Sequence, residues 1–273
     1  MVSIKSLFLS ALLLAAGSEA RRPYFRNRGT LKGWDGKIMD HQGKIEEVTD
    51  VHYLSGRSLK TSQTYDEAHK ELYRSVLIRK DGYEAGHHRF YNFMFRLAPD
   101  WEPVDQNATV SQFVSHRDTG ANCGVERLVG TSFYVFRNHL YARVIGGQYS
   151  GNNCEFKEHV FEQIAKVTPG EWHKVSFEGQ WEFKKRKGAF RVWVDGKKVV
   201  DQKKIATTVA GRWPFKWHVG LDMSAWHHQG RVVGSQEKRE AWFDEIAVGR
   251  SLLEVDPDMM KKYDLILSHK PTA

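Results

Sequence analysis

Between residues 72 and 248 the chain repeats one pattern, short runs rich in β-branched and aromatic residues with Gly, Pro, Asn or Asp close to their ends. The runs cover residues 72–79, 90–97, 110–115, 132–136 and 140–145, then 172–183, 189–194, 215–221 and 241–248. Such runs predict strands, whose successive side chains point to opposite faces. Asp195-Gly196, between 190–194 and 197–200, reads as a two-residue hairpin, because Gly accepts the positive φ of the turn. Asn138-His139 is a softer version of that signal between 133–136 and 140–144.

Helix is scarce. Residues 66–72 have room for a turn or two, and 158–166 reads as a short helix or a strand. Residues 257–265 predict a terminal helix with Asp256 as N-cap and Pro257 at the first helical position. The Arg-rich stretch 21–35 reads as a mobile lead-in to the first strand. Many strands with few short helices predict an all-β protein, a two-sheet sandwich or jelly roll. In that fold alternate residues face the core, so a site would lie where polar residues recur on the outward positions of several strands.

The first twenty residues join Lys5, an apolar run over 7–16 and the small-residue end Ser18-Glu19-Ala20. That is the layout of a cleaved secretory signal, and the run is too short to span a bilayer. A secreted, extracellular chain is expected, with residues 1–20 as signal and 21–273 as one sandwich domain. The signal holds one charge of each sign, so the net charge of +8 stays with the mature chain. In a secreted protein this favours an acidic partner such as a polyanion. No nucleic-acid motif is present, no membrane association is expected, and a monomer is expected. In an oxidising compartment Cys123 and Cys154 are expected to bridge, which would stabilise the fold by about 3 kcal/mol. Asn107-Ala108-Thr109 is a glycosylation acceptor.

Several segments in order resemble a known family. They begin with Gly56-Arg57-Ser58-Leu59-Lys60, Tyr73-Arg74-Ser75-Val76-Leu77 and the run from Arg89 to Trp101, RFYNFMFRLAPDW. Gln112-Phe113-Val114-Ser115-His116 and Gly170-Glu171-Trp172-His173-Lys174-Val175 follow. The series closes with residues 190–197, FRVWVDGK, and 242–249, WFDEIAVG. This order resembles the secreted jelly-roll polysaccharide lyases, within the concanavalin A-like sandwiches, and among them the fungal glucuronan lyase type. The resemblance covers about residues 50–250; the Trp172, Asp195-Gly196 and Asp244 segments are shared by many lectin-like sandwiches, and the Arg74 and Gln112 segments are more specific to lyases. Three positions depart from the pattern: Val76 where an acid is usual, Val114 in place of the histidine of Gln-x-His, and Asp222 where a tyrosine is usual.

The resemblance implies cleavage of a uronate-containing polysaccharide such as glucuronan by β-elimination. The adjacent carboxylate must be neutralised, a base must remove the C5 proton and an acid must protonate the departing 4-oxygen. Gln112 and His116 share one face of their strand and are expected as neutraliser and base, with Tyr141 as the acid. Arg74, Arg79, Arg143 and His218 are expected to hold substrate, arginine best because its fork takes two carboxylate oxygens. The chemistry requires no cofactor. Asp244 matches a place where jelly rolls hold a structural calcium, although a single Asp does not make a site. The adjacent pairs His87-His88 and His227-His228 make poor single-metal sites, since strand neighbours point apart. Lys184-Lys185-Arg186-Lys187 reads as a solvated hairpin tip or a heparin-type patch.

Two other functions fit the fold class. A non-catalytic carbohydrate-binding jelly roll would bind uronate polymers without producing the unsaturated product. A glycoside hydrolase needs two carboxylates across the scissile bond, and no groove-forming segment carries carboxylates on alternate positions.

Overall fold

The computed structural model describes residues 22–116, 127–147, 156–210 and 214–261. Within them the strands form two antiparallel sheets. The first runs β13 (Lys197–Ile205), β12 (Gly188–Val194), β11 (Trp172–Gln180), β6 (His88–Leu97), β15 (Lys238–Gly249), β4 (Ser58–Thr64) and β3 (Lys44–Val48), and β1 (Phe25–Asn27) also pairs with β15. The second runs β10 (Phe156–Lys166), β9 (His139–Gly147), β8 (Arg127–Phe136), β7 (Ala108–His116), β14 (Phe215–Asp222), β5 (Arg74–Tyr83) and β2 (Gly36–Met39). Two short helices, α1 (Ser224–Gln229) and α2 (Leu252–Val255), follow β14 and β15, and residues 257–261 are helical as well. The expected all-β, two-sheet jelly-roll sandwich is the observed fold.

The inward residues of both sheets meet in an aromatic core. Tyr83 stacks on Trp181 at 3.8 Å, Tyr91 on Phe177 at 4.6 Å and Phe113 on Trp217 at 5.8 Å between ring centroids. Such pairs are each worth about 1 kcal/mol beyond the apolar area they bury. Two of their polar handles are satisfied inside: Trp181 Nε1 donates to Tyr91 Oη at 3.1 Å, and Tyr91 Oη donates to the Gly82 carbonyl at 2.9 Å. Burial raises the Tyr91 phenol well above its ordinary value, so it stays protonated.

Local readings meet the structure unevenly. Residues 195–196 make the expected turn, with Asp195 and Gly196 both at positive φ. The second hairpin turns one residue earlier than expected, at Arg137-Asn138, with Arg137 at φ 54°. Residues 158–166 are strand, within β10, and 66–72 is a loop in which Asp66 Oδ1 accepts from the Ala68 N–H. The basic lead-in is not loose throughout, because Phe25–Asn27 joins the first sheet as β1. Helix begins at residue 257 as expected, and Asp256 Oδ1 accepts from the N–H groups of Asp258 and Met259. Among the described residues no helix is long and apolar enough to cross a membrane.

Candidate active site

Four strands of the second sheet bring one row of side chains to its outer face. His218 on β14 lies opposite Gln112 on β7, Gln112 opposite Ser132 on β8, and Ser132 opposite Arg143 on β9. Directly opposed residues share a face, while the neighbours Trp217, Phe113 and Phe133 turn into the core. A second row runs Arg74, Asp222, Thr109, Tyr134 and Tyr141. Toward the other end of the strands, His116 lies opposite Arg127. Arg74, Gln112, His116, Tyr141, Arg143 and His218 therefore share one side of one sheet. A cleft of about 310 Å³ opens there, with Gln112, Arg127, Tyr134, Arg143 and Asp222 in its wall.

Asp222 organises the floor. Its Oδ2 accepts from Gln112 Nε2 at 2.6 Å and lies 3.6 Å from Arg127 Nη2. Its Oδ1 accepts from the Ser224 N–H at 2.9 Å and from the Ser224 hydroxyl. Gly220 makes this aim feasible. It has φ 138°, and a Cβ there would lie 2.3 Å from the Ser75 carbonyl oxygen. The β7 register shifts between Val219 and Asp222, as at a bulge that re-aims a side chain.

Each of three arginines on this face meets a carboxylate. Arg74 Nε lies 2.6 Å from Asp40 Oδ2, Arg127 meets Asp222, and Arg143 Nη1 lies 3.3 Å from Glu158 Oε1. Arg143 Nη2 also donates to the Val129 carbonyl at 2.9 Å.

Burial first, and neighbouring cations second, set the state of the histidines. His218 is 1% exposed, and burial first, then Arg127, Arg74, His116 and Lys216, lowers its pKa to about 3. Neither ring nitrogen of His218 has a hydrogen-bond partner among the described residues. His116 is exposed at the surface of the same cluster, and partial burial followed by Lys216, Arg127 and Arg74 lowers its pKa. Both imidazoles are thus held neutral at neutral pH, and of the two only His116 is exposed. Burial raises the Tyr134 phenol, which keeps its proton available for donation. Tyr141 stacks behind it, 5.3 Å between ring centroids.

Arg79 does not join this face. It lies five residues from Arg74 on β5, so alternation turns it to the other side, where its Nη1 meets Asp35 Oδ2 at 2.9 Å and its guanidinium covers the Phe25 ring. Asn107 is exposed at the cleft edge, just before β7. Residues 1–20, Cys123 and Cys154 lie outside the described residues. Asp244, fully buried on β15, accepts from Tyr53 N–H at 3.0 Å, Ser55 Oγ at 2.8 Å and Glu245 N–H at 2.7 Å, so it ties down the segment before β4. Among the described residues no group of three or more His, Cys, Asp and Glu side chains could hold a metal ion.

Sequence reasoning missed Arg127, Ser132 and Tyr134. Tyr134 had a usable signal, since it alternates with the core residues Phe133 and Val135. Arg127 opens its strand and reaches Asp222 only through tertiary pairing, which no local pattern announces.

A two-sheet jelly roll with a polar cleft of arginines, amide, imidazole and phenol on one outer face is the architecture of carbohydrate-active sandwiches. The chain belongs to the polysaccharide lyase family, whose model matches residues 26–247, and it is a polysaccharide lyase that acts on a polysaccharide. It is similar to the endo-β-1,4-glucuronan lyase of the fungus Trichoderma reesei, with 36% identity and a TM-score of 0.84 over 86% of this chain and 99% of that one. It also shares the fold of an alginate lyase from Aplysia kurodai, with 10% identity and a TM-score of 0.54 over 84% of this chain and 99% of that one. A comparison with curated proteins finds no match.

Proposed function

We propose that the protein is a secreted lyase that cleaves an acidic, uronate-containing polysaccharide, glucuronan first among candidates, by β-elimination. The observation that carries the reading is the shared face of Arg74, Gln112, His116, Arg127 and His218, where cations and an amide surround imidazoles held neutral. The likeness to a glucuronan lyase supports the choice of polymer. The apolar leader over residues 7–16 supports secretion.

In this mechanism the substrate carboxylate sits against Gln112, whose second amide hydrogen remains after the bond to Asp222, and against Arg127 and Arg74. Neutralising that carboxylate makes the C5 hydrogen acidic. His116 accepts the C5 proton, the electron pair forms the C4–C5 double bond, and the C4–O4 bond breaks. The departing oxygen takes a proton from the stacked Tyr134–Tyr141 pair. Arg143 and His218 line the neighbouring positions along the row. The products are a non-reducing-side fragment whose new reducing end carries the departed oxygen as a hydroxyl, and a reducing-side fragment that begins with a 4,5-unsaturated uronate.

The test is direct. Purified protein is incubated with glucuronan, alginate, pectate and a heparin-type polymer while ultraviolet absorbance of the conjugated uronate is followed. A rise with glucuronan is expected. Binding to all four with no rise on any would end the β-elimination reading.

A further inference from the structure

The basic run singled out in the sequence lies outside the cleft, on the connection between β11 and β12. Lys184, Lys185, Arg186 and Lys187 are all exposed. The Arg186 N–H donates to the Lys204 carbonyl at 3.2 Å, which brings exposed Lys203 and Lys204 of β13 beside them. Six cations thus share one rim. Lys203 has a carboxylate at 3.9 Å, on Asp201, and Lys184 lies over the Phe183 ring. The other four form no ion pair among the described residues. This contrasts with the cleft, where Arg74, Arg127 and Arg143 are each paired.

Hydrogen bonds fix where the rim stands. The Glu182 carbonyl, just before the run, accepts from Thr207 N–H at 2.7 Å, and Gly147 N–H donates to the Thr208 carbonyl at 3.0 Å. Gly147 is the last residue of β9. Because β9 runs antiparallel to β8, that end lies beside Arg127, the first residue of β8, and so beside His116. Opposite Gly147, β10 begins with Phe156 and the exposed Lys157. The rim therefore flanks the His116 end of the cleft-bearing sheet.

We infer that this rim is a second polyanion-binding surface, which holds the stretch of acidic polysaccharide that leaves the cleft at its His116 end. The inference rests on the substrate class proposed above. Unpaired, hydrated ammonium groups spread along an edge suit a linear polyanion rather than a small ligand, because they supply field without a fixed pocket. Attraction of this kind acts over the screening length of the solution and fades as salt rises.

The experiment compares the protein with two variants for binding of long glucuronan and of a short glucuronan oligosaccharide that fills the cleft alone. One variant replaces the loop cations, Lys184→Ser, Lys185→Ser, Arg186→Asn and Lys187→Ser; Asn is used at Arg186 because that residue has φ 71°. The other carries Lys203→Thr and Lys204→Asn and reaches the same rim through β13. Both are expected to weaken polymer binding about tenfold at low salt, with the gap closing at high salt and no change for the oligosaccharide. Equal polymer binding by all three proteins, or equal losses on polymer and oligosaccharide, would overturn the inference. Failure of the unsubstituted protein to bind glucuronan would overturn it as well. Rim-dependent binding with no ultraviolet rise would remove the β-elimination reading and leave the rim standing.

Discussion

Gln112 Nε2 donates to Asp222 Oδ2 across 2.6 Å, joining the central strand of the second sheet to β14 at the floor of the cleft. The bond fixes which end of the amide faces Asp222 and leaves one N–H for a ligand. Gln112→Ala removes that donor and strips Asp222 of a partner. Turnover of glucuronan is expected to fall about 100-fold. A variant that keeps the full rate would take Gln112 out of the mechanism.

His116 should set the acid limb of the pH–rate profile. Its pKa lies below the ordinary 6.5, so the neutral, proton-accepting form persists into mildly acidic solution. The kcat/KM of the protein is expected to stay level from neutral pH to below 6.5 and then fall. His116→Ala should lose most activity at every pH. An acid limb unchanged in this variant, measured on residual activity, would assign the base elsewhere.

His218 links stability to pH. Its pKa is depressed to about 3 in the folded protein against an ordinary 6.5, so the unfolded chain binds the extra proton between those values. Stability from this group is complete above 6.5 and is lost as pH falls toward 3. Melting temperatures taken from pH 7 downward should fall more steeply for the protein than for His218→Gln. Parallel curves would show that His218 carries no such linkage.

Tyr134, rather than Tyr141, lines the cleft wall, and the two rings stack. Tyr134→Phe should lower kcat by about 100-fold with little effect on KM, and Tyr141→Phe should act less, through support of its neighbour. The reverse order of effects in steady-state kinetics would make Tyr141 the donor.

Asp244→Ala leaves the N–H groups of Tyr53 and Glu245 and the Ser55 hydroxyl without their shared acceptor. Denaturant unfolding should show a loss of about 3 kcal/mol. A midpoint matching the original protein would mean that the segment before β4 is held by other contacts.

Much of this was legible in the chain because alternation is a local property. The strands over 90–97, 110–115 and 189–194 carry bulky residues that meet in the core, and alternation set Gln112 and His116 on one side without knowledge of their neighbours. What escaped depends on pairing between distant segments. The short edge strands β1, β2 and β3 have too few residues to establish a period. β10 has a mixed pattern, because it is an edge strand whose register shifts between Phe161 and Ala165. Arg127 and Asp222 become partners only when β7 lies between β8 and β14. Arg79 could have been set apart from Arg74 by counting, since an odd separation on a strand reverses the side.

The arginine–carboxylate pairs of the cleft give its chemistry a particular economy. On the proposed reading, an acidic sugar arriving there would find resident anions already in place, Asp40, Asp222 and Glu158, and would have to take over bonds they hold. Such a swap trades like for like, so the net grip is a small difference between two similar attractions. A neutral sugar cannot make the trade, and a cleaved fragment can hand the arginines back. On that reading selectivity and release would arise from one arrangement, in which guests enter the cleft by exchange.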